Sequence, residues 1–442
     1  MRISSTMMSN NYLKQLNGTY EQYSKLMEQA DGSKLHRASD NAVGYSKYLR
    51  YQNNQISNEQ YQSNVSTASS WMKNADAALV NVTDLLQTFK AKVEQGSNST
   101  NNESDMKDIA KELLANVQEQ VADLNTQIGD RFLFAGQKDT TMPFEISAKK
   151  MNRGDTFTLD EKQSAFFSGA TGWGEEKTTV KQMLKLKGDD GNSYYMNVNT
   201  GDVYTEDFVK NGYKNEDKFD PATQAVDNVT SGTKGTAKAY DVSKNFDQYG
   251  VIKTDANVGT NANYKITVDG KDVNLKLSTT EQYIVKYAGD DKYISMVKKN
   301  GGVDKATDTV NVTGQDINGC DLFDVGNDPH SGTARLNQLL YTVAKLDGAD
   351  YKWAGEQGMT IADSAHATVL GAQTKMAARQ QAYNSSSSML VTQNESITSD
   401  ISDVSSTDVA QLATKLMEYQ TIYSLSLSVG SKILPGTLAD YL

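Results

Sequence analysis

The chain has 442 residues, 38% of them apolar, and a formal net charge of −11 at pH 7. Such an acidic, polar chain is a poor electrostatic match for nucleic acid or an anionic membrane, and no apolar run is long enough to span a bilayer. The single cysteine, Cys320, excludes an internal disulfide, and the three histidines, His36, His330 and His366, lack metal-ligand spacing, so we expect no metal and no cofactor.

The first predicted helix carries an apolar stripe whose members recur at intervals of three and four residues. The stripe consists of Leu13, Leu16, Tyr20, Tyr23 and Met27, and Gly32-Ser33 breaks it. The N-terminus has no apolar core of the kind that a signal peptide needs, so a cleaved secretory signal is not expected.

Two longer helices follow, and their apolar residues keep a strict 3.5-residue repeat. The first seam comprises Tyr61, Val65, Ala68, Met72, Ala75, Leu79, Val82, Leu86, Phe89 and Val93, and the second Ala110, Leu114, Val117, Val121, Leu124 and Ile128. This repeat is the signature of a coiled-coil seam. Gly96 predicts the helix stop between them and Ser104 or Asp105 the next N-cap, which together indicate an antiparallel helical hairpin.

The stretch IGDRFLFAGQKDTTMPF, residues 128–144, could be a ligand loop or a structural corner. A phosphate-binding loop needs a glycine five residues before Gly-Lys-Ser/Thr, and Arg131 stands there instead. We therefore predict a domain corner, where a helical seam ends, apolar side chains plug its end, and the chain turns outward. Its key residues are Gly129, Phe132, Phe134, Gly136 and Pro143.

The middle of the chain, about 145–350, is rich in Gly, Asp, Thr and Tyr and alternates in short stretches. Residues 264–277 predict a β-hairpin around Asp269-Gly270. Two further hairpins are predicted in 183–198 and 283–297, around Gly-Asp-Asp turns. Neither acidic turn has the alternating ligands and final glutamate of a calcium loop, so plain turns are favoured.

The C-terminal side mirrors the N-terminal side. A seam runs through Ala362, Ala365, Val369, Ala372, Met376, Tyr383, Leu390, Ile397 and Val404, and a last helix places Val409, Leu412, Leu416, Tyr419 and Tyr423 on one stripe before Pro435. A pair of terminal helices with one stripe each is marginal alone. We expect them to be loose in the monomer and to order when neighbouring copies cover them, unless both stripes dock onto the insert.

The predicted fold is α+β: a long, coiled-coil-like helical bundle from both chain ends, with a β-rich domain inserted between them. The predicted divisions are 1–38 and 405–442 as terminal helices, 39–144 and 356–404 as the two parts of a helical rod, and 145–355 as the insert.

Three segments resemble the flagellin superfamily: MRISSTMM at the start, residues 36–87, and GDRFLFAG with the Pro143-Phe144 that follows it. The RFLFAG segment, together with the C-terminal residues 408–442, resembles more narrowly the hook-associated protein 3 family of junction proteins. The resemblance covers about 1–145 and 360–442, and the middle resembles nothing in particular. Ala38 stands where the superfamily commonly has a proline.

This resemblance implies a non-enzymatic structural adaptor between the flagellar hook and filament, located outside the cell and exported without a cleaved signal. The implied partners are further copies of itself, hook-associated protein 1, flagellin and an export chaperone. A filament-forming flagellin is the alternative within the superfamily. An enzyme carried on the β-rich insert is the hypothesis from another class, although the insert's carboxylates show no catalytic spacing.

Overall fold

A computed structural model gives the fold. It describes residues 5–37, 39, 41–169, 180, 182–197, 202–211, 246–247, 249–252, 264–268, 271–294, 309–319 and 332–433. The predictions that concern Cys320, His330 and the segment from Pro435 onward lie outside these residues.

The helices are α1 Ser5–Glu28, α2 Ala42–Gly96, α3 Glu103–Leu124, α4 Glu161–Gly169, α5 Glu206–Lys210, α6 Gly314–Asn318, α7 Ala334–Asp347, α8 Tyr351–Trp353, α9 Met359–Ser405 and α10 Val409–Ile433. A 3-10 turn, Gln29–Asp31, follows α1, and a π-helical turn, Ala354–Gly358, joins α8 to α9.

The strands are β1 Gln127–Ile128, β2 Arg131–Phe132, β3 Phe144–Ile146, β4 Met151–Gly154, β5 Thr156–Thr158, β6 Gln182–Gly188, β7 Ser193–Met196, β8 Val203–Thr205, β9 Tyr264–Val268, β10 Lys271–Leu277, β11 Thr279–Gln282 and β12 Val285–Tyr287. The predicted α+β class, with long helices from both ends around a β-rich centre, is confirmed.

The chain divides into two compact units. The first consists of Met1–Thr67 and Tyr383–Leu442, and the second of Ala68–Ala382. This division follows from packing, whereas the five predicted segments follow from composition and apolar periodicity in the sequence. The boundaries of those five segments stay predictions.

The first unit contains α1, α10, the start of α2 and the end of α9. Its loops are tied by backbone hydrogen bonds: the amide of Lys34 donates to Ser405 O (2.7 Å) and that of Thr407 to Gly32 O (2.9 Å). Helices α2 and α9 share a polar layer here, in which Asn58, only 3% exposed, contacts Gln62 and Gln393. A seam position is therefore filled by an amide rather than by an apolar side chain.

The predicted seams contribute most of their residues to the core. Nine members of the first seam are buried, Val65 in the first unit and the eight from Ala68 to Val93 in the second, and Tyr61 is half-exposed. In the second seam, Leu114 and Ile128 are half-exposed and the other four are buried. The C-terminal seam is buried from Ala362 to Ile397, across both units. Helix α2 ends at Gly96 as predicted, but the N-cap of α3 is Asn102, which forms a capping box with Asp105. Asparagine in this role satisfies the free amides at the helix start.

Helix α7 was not predicted, because residues 145–355 were interpreted as a β-rich insert. It packs against α3, and its buried apolar residues recur at helical spacing: Leu336, Leu339, Leu340, Val343 and Leu346. Arg335, 3% exposed, donates to Gln120 Oε1 (2.7 Å) and Asn318 Oδ1 (3.0 Å). Burial lowers the pKa of this guanidinium.

The β-rich part contains one six-stranded sheet in the order β8-β7-β6-β10-β9, with β5 also paired to β6. Two predicted hairpins are confirmed, since β6 pairs with β7 and β9 with β10. The third is wrong: β12 pairs with the distant β3, Tyr287 opposite Phe144. Both faces of the large sheet are covered, since Leu184 and Met183, adjacent in β6, belong to separate buried clusters.

Candidate assembly surface and domain corner

The corner begins with a tight hairpin after α3. Strands β1 and β2 pair with Ile128 opposite Arg131, so Gly129 and Asp130 form a two-residue turn. Gly129 has φ +64°, the left-handed conformation that glycine adopts at little cost. The side-chain amide of Asn125 closes the corner. Its Nδ2 donates to Phe144 O (2.8 Å), and its Oδ1 accepts from Phe144 N (3.0 Å).

The apolar residues of the corner are buried. Phe132 is 9% exposed, whereas Leu133, Phe134 and Ala135 are fully covered. The hydroxyl of Tyr287, itself buried, lies 2.9 Å from Phe134 O and 3.0 Å from Asp290 O, and its ring packs on Phe144. Burial raises the pKa of this phenol above its ordinary value. The corner is thus held by a residue more than 150 positions away in sequence.

Gly136 is where the corner meets Asp290 most closely. It has φ +70°, and a Cβ at this position would overlap the backbone carbonyl of Asp290. The next amide, of Gln137, donates to Asp290 Oδ1 (2.6 Å), and the amide of Asp290 donates to Ala135 O (3.1 Å). Pro143 is buried and its carbonyl accepts from Ala288 (2.8 Å). Phe132, Phe134, Gly136 and Pro143 therefore lie in a closely packed corner, whereas Gly129 lies at an exposed turn at its edge.

Asp291 provides a test of the electrostatics beside this corner. Burial, together with Asp316 and Asp290, raises the pKa of its carboxyl above 3.8, and a hydrogen bond from Thr313 (2.5 Å) partly offsets this. A carboxyl with a higher pKa in the folded state binds more protons when folded, so its penalty is absent below pH 3.8 and complete above the raised value. We expect Asp291→Asn to raise the free energy of unfolding at pH 7 slightly, because solvent screens the charge of this half-buried carboxyl.

The gain for Asp291→Asn should disappear below pH 3.8. Urea unfolding of both proteins at a series of pH values measures it, and other titrating groups cancel in the difference. A gain that persists at pH 3 would show that packing, not charge, is responsible.

Helices α1 and α10 form an antiparallel pair. The hydroxyl of Tyr12 donates to Ser426 O (2.6 Å), and the rings of Tyr20 and Tyr423 lie 5.7 Å apart. The less exposed residues of each helix recur at steps of three and four. On α1 they are Ser9, Tyr12, Leu16, Thr19, Tyr23 and Leu26, and on α10 Leu412, Leu416, Tyr419, Tyr423, Ser426 and Gly430.

The structure places the predicted interaction residues in two environments. Leu16, Tyr23, Leu412, Leu416, Tyr419 and Tyr423 lie on the faces where α1 and α10 meet. Leu13 and Met27 instead have 42% and 52% of their surface exposed, and Tyr20 is 55% exposed although its ring lies 5.7 Å from that of Tyr423. Because they are seven residues apart, they form one line along α1.

These outward residues belong to a larger surface, which we call the outer apolar surface. Its members are Met7, Met8, Leu13, Tyr20 and Met27 on α1 and Val409, Met417, Ile422, Leu425, Leu427 and Val429 on α10. Monomeric soluble proteins seldom expose so many large apolar side chains on one pair of helices, and such patches mark interaction sites.

The stretch Tyr419–Gly430 of α10 strengthens this interpretation, because it contains no charged residue. Ile422, Leu425 and Val429 share one exposed face, and Leu427 points in another direction. Burial of this stretch would desolvate no charged side chain, so a partner can cover it at lower cost than a charged helix face. Helix α1 covers one side only. The predicted stripe had missed these residues, although the charge-free run is visible in the sequence.

The described residues contain no group of three or more His, Cys, Asp and Glu side chains that could hold a metal ion. Of the described histidines, His36 contacts Asp31 (2.8 Å) on the surface, and His366 lies on α9. The described helices include none that is long and apolar enough to cross a membrane.

Comparison with known proteins gives the context of this surface. Residues 3–139 match the bacterial flagellin N-terminal helical region. The flagellin of Salmonella berta is 26% identical over 306 residues, which are 60% of this chain and 58% of the relative, and that of Salmonella dublin is 26% identical over 303 residues. The chain thus spans a little over half the length of the curated relatives that it matches.

Solved structures are similar in part. The junction protein FlgL from Legionella pneumophila has a TM-score of 0.35 and 12% identity, and covers 76% of this chain and 98% of its own. FlgL from Xanthomonas campestris has a TM-score of 0.37 and 13% identity, with 80% and 99% covered. A provisionally assigned flagellar hook-associated protein from Vibrio parahaemolyticus has a TM-score of 0.41 and 14% identity, with 83% and 100% covered.

Proposed function

We propose that this chain, whose residues 3–139 are a flagellin-type N-terminal helical region, is a structural protein that joins the flagellar hook to the filament. The observation that carries the proposal is the outer apolar surface, which includes a charge-free stretch of α10. Further copies of the chain would cover it and form a ring or a helical layer. The apolar area removed from water would drive that assembly.

The same surface supports coupled folding. Among side chains 7–28 and 409–430, only Leu412 and Gly430 are buried. One fully buried leucine contributes about 1.5–3 kcal/mol, whereas fixing the backbone costs roughly 1–2 kcal/mol per residue. We therefore expect the α1–α10 pair to be weakly protected in the monomer and to become fully ordered when neighbouring copies pack around it.

By the superfamily resemblance, the hook-side partner would be hook-associated protein 1 and the filament-side partner flagellin. An export chaperone would cover the C-terminal helix before assembly. The protein would act outside the cell, after export without a cleaved signal.

Within the superfamily, the RFLFAG corner favours the junction role. Its buried Phe132–Ala135 segment and its contacts with Tyr287 and Asp290 form one compact structure. A filament subunit remains the second candidate, because the curated relatives it matches are flagellins.

Gene deletion in the source organism tests the junction role. Cells without a junction protein should keep their hooks but shed filament protein into the medium, and the restored gene should return attached filaments. Immunoblots of the medium and electron microscopy of the cells measure this. Deletion of a filament subunit would instead remove that protein from the medium, and intact filaments after deletion would contradict both candidates.

The enzyme hypothesis concerns the β-rich part, and its test is direct. Purified chain can be incubated with peptide and glycan substrates. Turnover that a deletion of 145–350 abolished would show an activity in addition to the structural role.

A further inference from the structure

Methionine is unusually frequent on the outer apolar surface. Met7, Met8, Met27 and Met417 account for four of its eleven members, and their exposed fractions are 59%, 50%, 52% and 63%. An exposed thioether is open to oxidants in solvent. The positions of the methionines within the α1–α10 pair therefore decide whether oxidation affects the outer apolar surface or the contact between the two helices.

The inner faces of the pair contain no methionine among the described side chains. Those faces are built from Tyr, Leu, Ser, Thr and Gly. On the long helices outside the pair, Met72, Met106 and Met376 are buried, with 0%, 5% and 0% exposed, whereas Met389 on α9 is 65% exposed. The four described methionines of the terminal helices are thus all at least 50% exposed in the free chain.

We propose that Met7, Met8, Met27 and Met417 are oxidation sites through which a peroxide blocks assembly of the free chain. The inference rests on the proposed function, because it needs the outer apolar surface to be an assembly surface. In the reaction, the methionine sulfur attacks one peroxide oxygen, the O–O bond breaks, and sulfoxide and water or an alcohol form. The sulfur is oxidised and the peroxide is reduced.

Oxidation at these positions would weaken contacts between copies without unfolding the α1–α10 pair. A sulfoxide is polar and would need a hydrogen-bond partner in an apolar contact, where none is provided. The contact between α1 and α10 uses other residues, so the pair itself stays intact. Copies already assembled would be protected, because their thioethers are covered. The block would therefore act on newly exported chains rather than on finished structures.

The test treats purified chain with hydrogen peroxide and measures three quantities: sulfoxide at each methionine by peptide mass spectrometry, helicity by circular dichroism, and assembly by light scattering. We expect oxidation at the four surface positions, unchanged helicity, and assembly slower by on the order of tenfold or more. Methionine sulfoxide reductases should restore assembly. Unreacted Met72 and Met376 serve as internal standards.

The matched control replaces all four residues by leucine, which keeps size and helix propensity. This variant should assemble equally well before and after peroxide, although it retains the exposed Met142 and Met389. The proposal is overturned if oxidised wild type assembles normally, or if the leucine variant is inhibited to the same extent. Failure of the untreated chains to assemble under any condition would instead overturn the proposed function, and the inference with it.

Discussion

Gly136→Ala is expected to destabilise the second unit by roughly 3–5 kcal/mol. Two costs add at this position. The backbone has φ +70°, where a Cβ is unfavourable, and that Cβ would overlap the carbonyl of Asp290. Relief would require Asp290 to move, which would disturb its hydrogen bonds to Gln137 and Ala135. Midpoints of urea unfolding, followed by circular dichroism, measure the loss.

The matched control is Gly129→Ala in the same corner. Gly129 has φ +64°, but nothing lies within 4 Å of the added Cβ, so only the backbone cost of about 1–2 kcal/mol applies. The difference between the two variants isolates the contact with Asp290. Equal losses would show that the corner adjusts to an added methyl group, and would argue against a rigid corner.

Leu425→Glu should weaken assembly strongly without destabilising the monomer. Leu425 is 60% exposed in the free chain, so a glutamate there stays hydrated. In the assembled state the same carboxylate would be buried in the charge-free stretch of α10, at a cost of about 3 kcal/mol or more for each copy. The concentration needed for assembly should therefore rise at least about a hundredfold. Sedimentation of a concentration series measures it.

Gln411→Glu is the control for this variant. It adds the same charge to an exposed position of the same helix, four residues before Lys415 and outside the charge-free stretch. Assembly should remain close to that of the wild type. If Leu425→Glu assembles equally well, the outer apolar surface is not a contact between copies, and another surface must hold the protein in place.

The helical part of the fold could be predicted because its signal is local and periodic. Val65, Leu79 and Val93 mark a seam by spacing alone, and burial follows that spacing. Prediction failed where distant segments compete for a strand. Val285–Tyr287 was assigned to a local hairpin, yet the strand pairs with Phe144–Ile146, where the Tyr287 hydroxyl reaches the corner. No local pattern reports such a partner.

The outer apolar surface shows a different limit of prediction from sequence. The spacing of Leu13, Tyr20 and Met27 correctly describes a line along α1, but Tyr12, Thr19 and Leu26 form a neighbouring line with the same period. Periodicity gives the interval between apolar residues and leaves open which of two adjacent lines faces the partner helix. Packing decides: Tyr12 donates to Ser426 O from one line, while Tyr20, at the edge of the other, still reaches the ring of Tyr423.

The polar layer at Asn58 fixes how far α2 and α9 are shifted along each other, in addition to joining them. In a coiled coil a buried polar residue can specify the alignment of two helices. A slip of one heptad would place Asn58 opposite Ser386 or Asp400 instead of Gln393, so the observed alignment is the one that pairs amide with amide. The start of α2 and the end of α9 are therefore held in one alignment, and with them the loops that follow α1 and precede α10. In the proposed assembly, every copy would then present its terminal helices at the same height, as an even ring of identical chains requires.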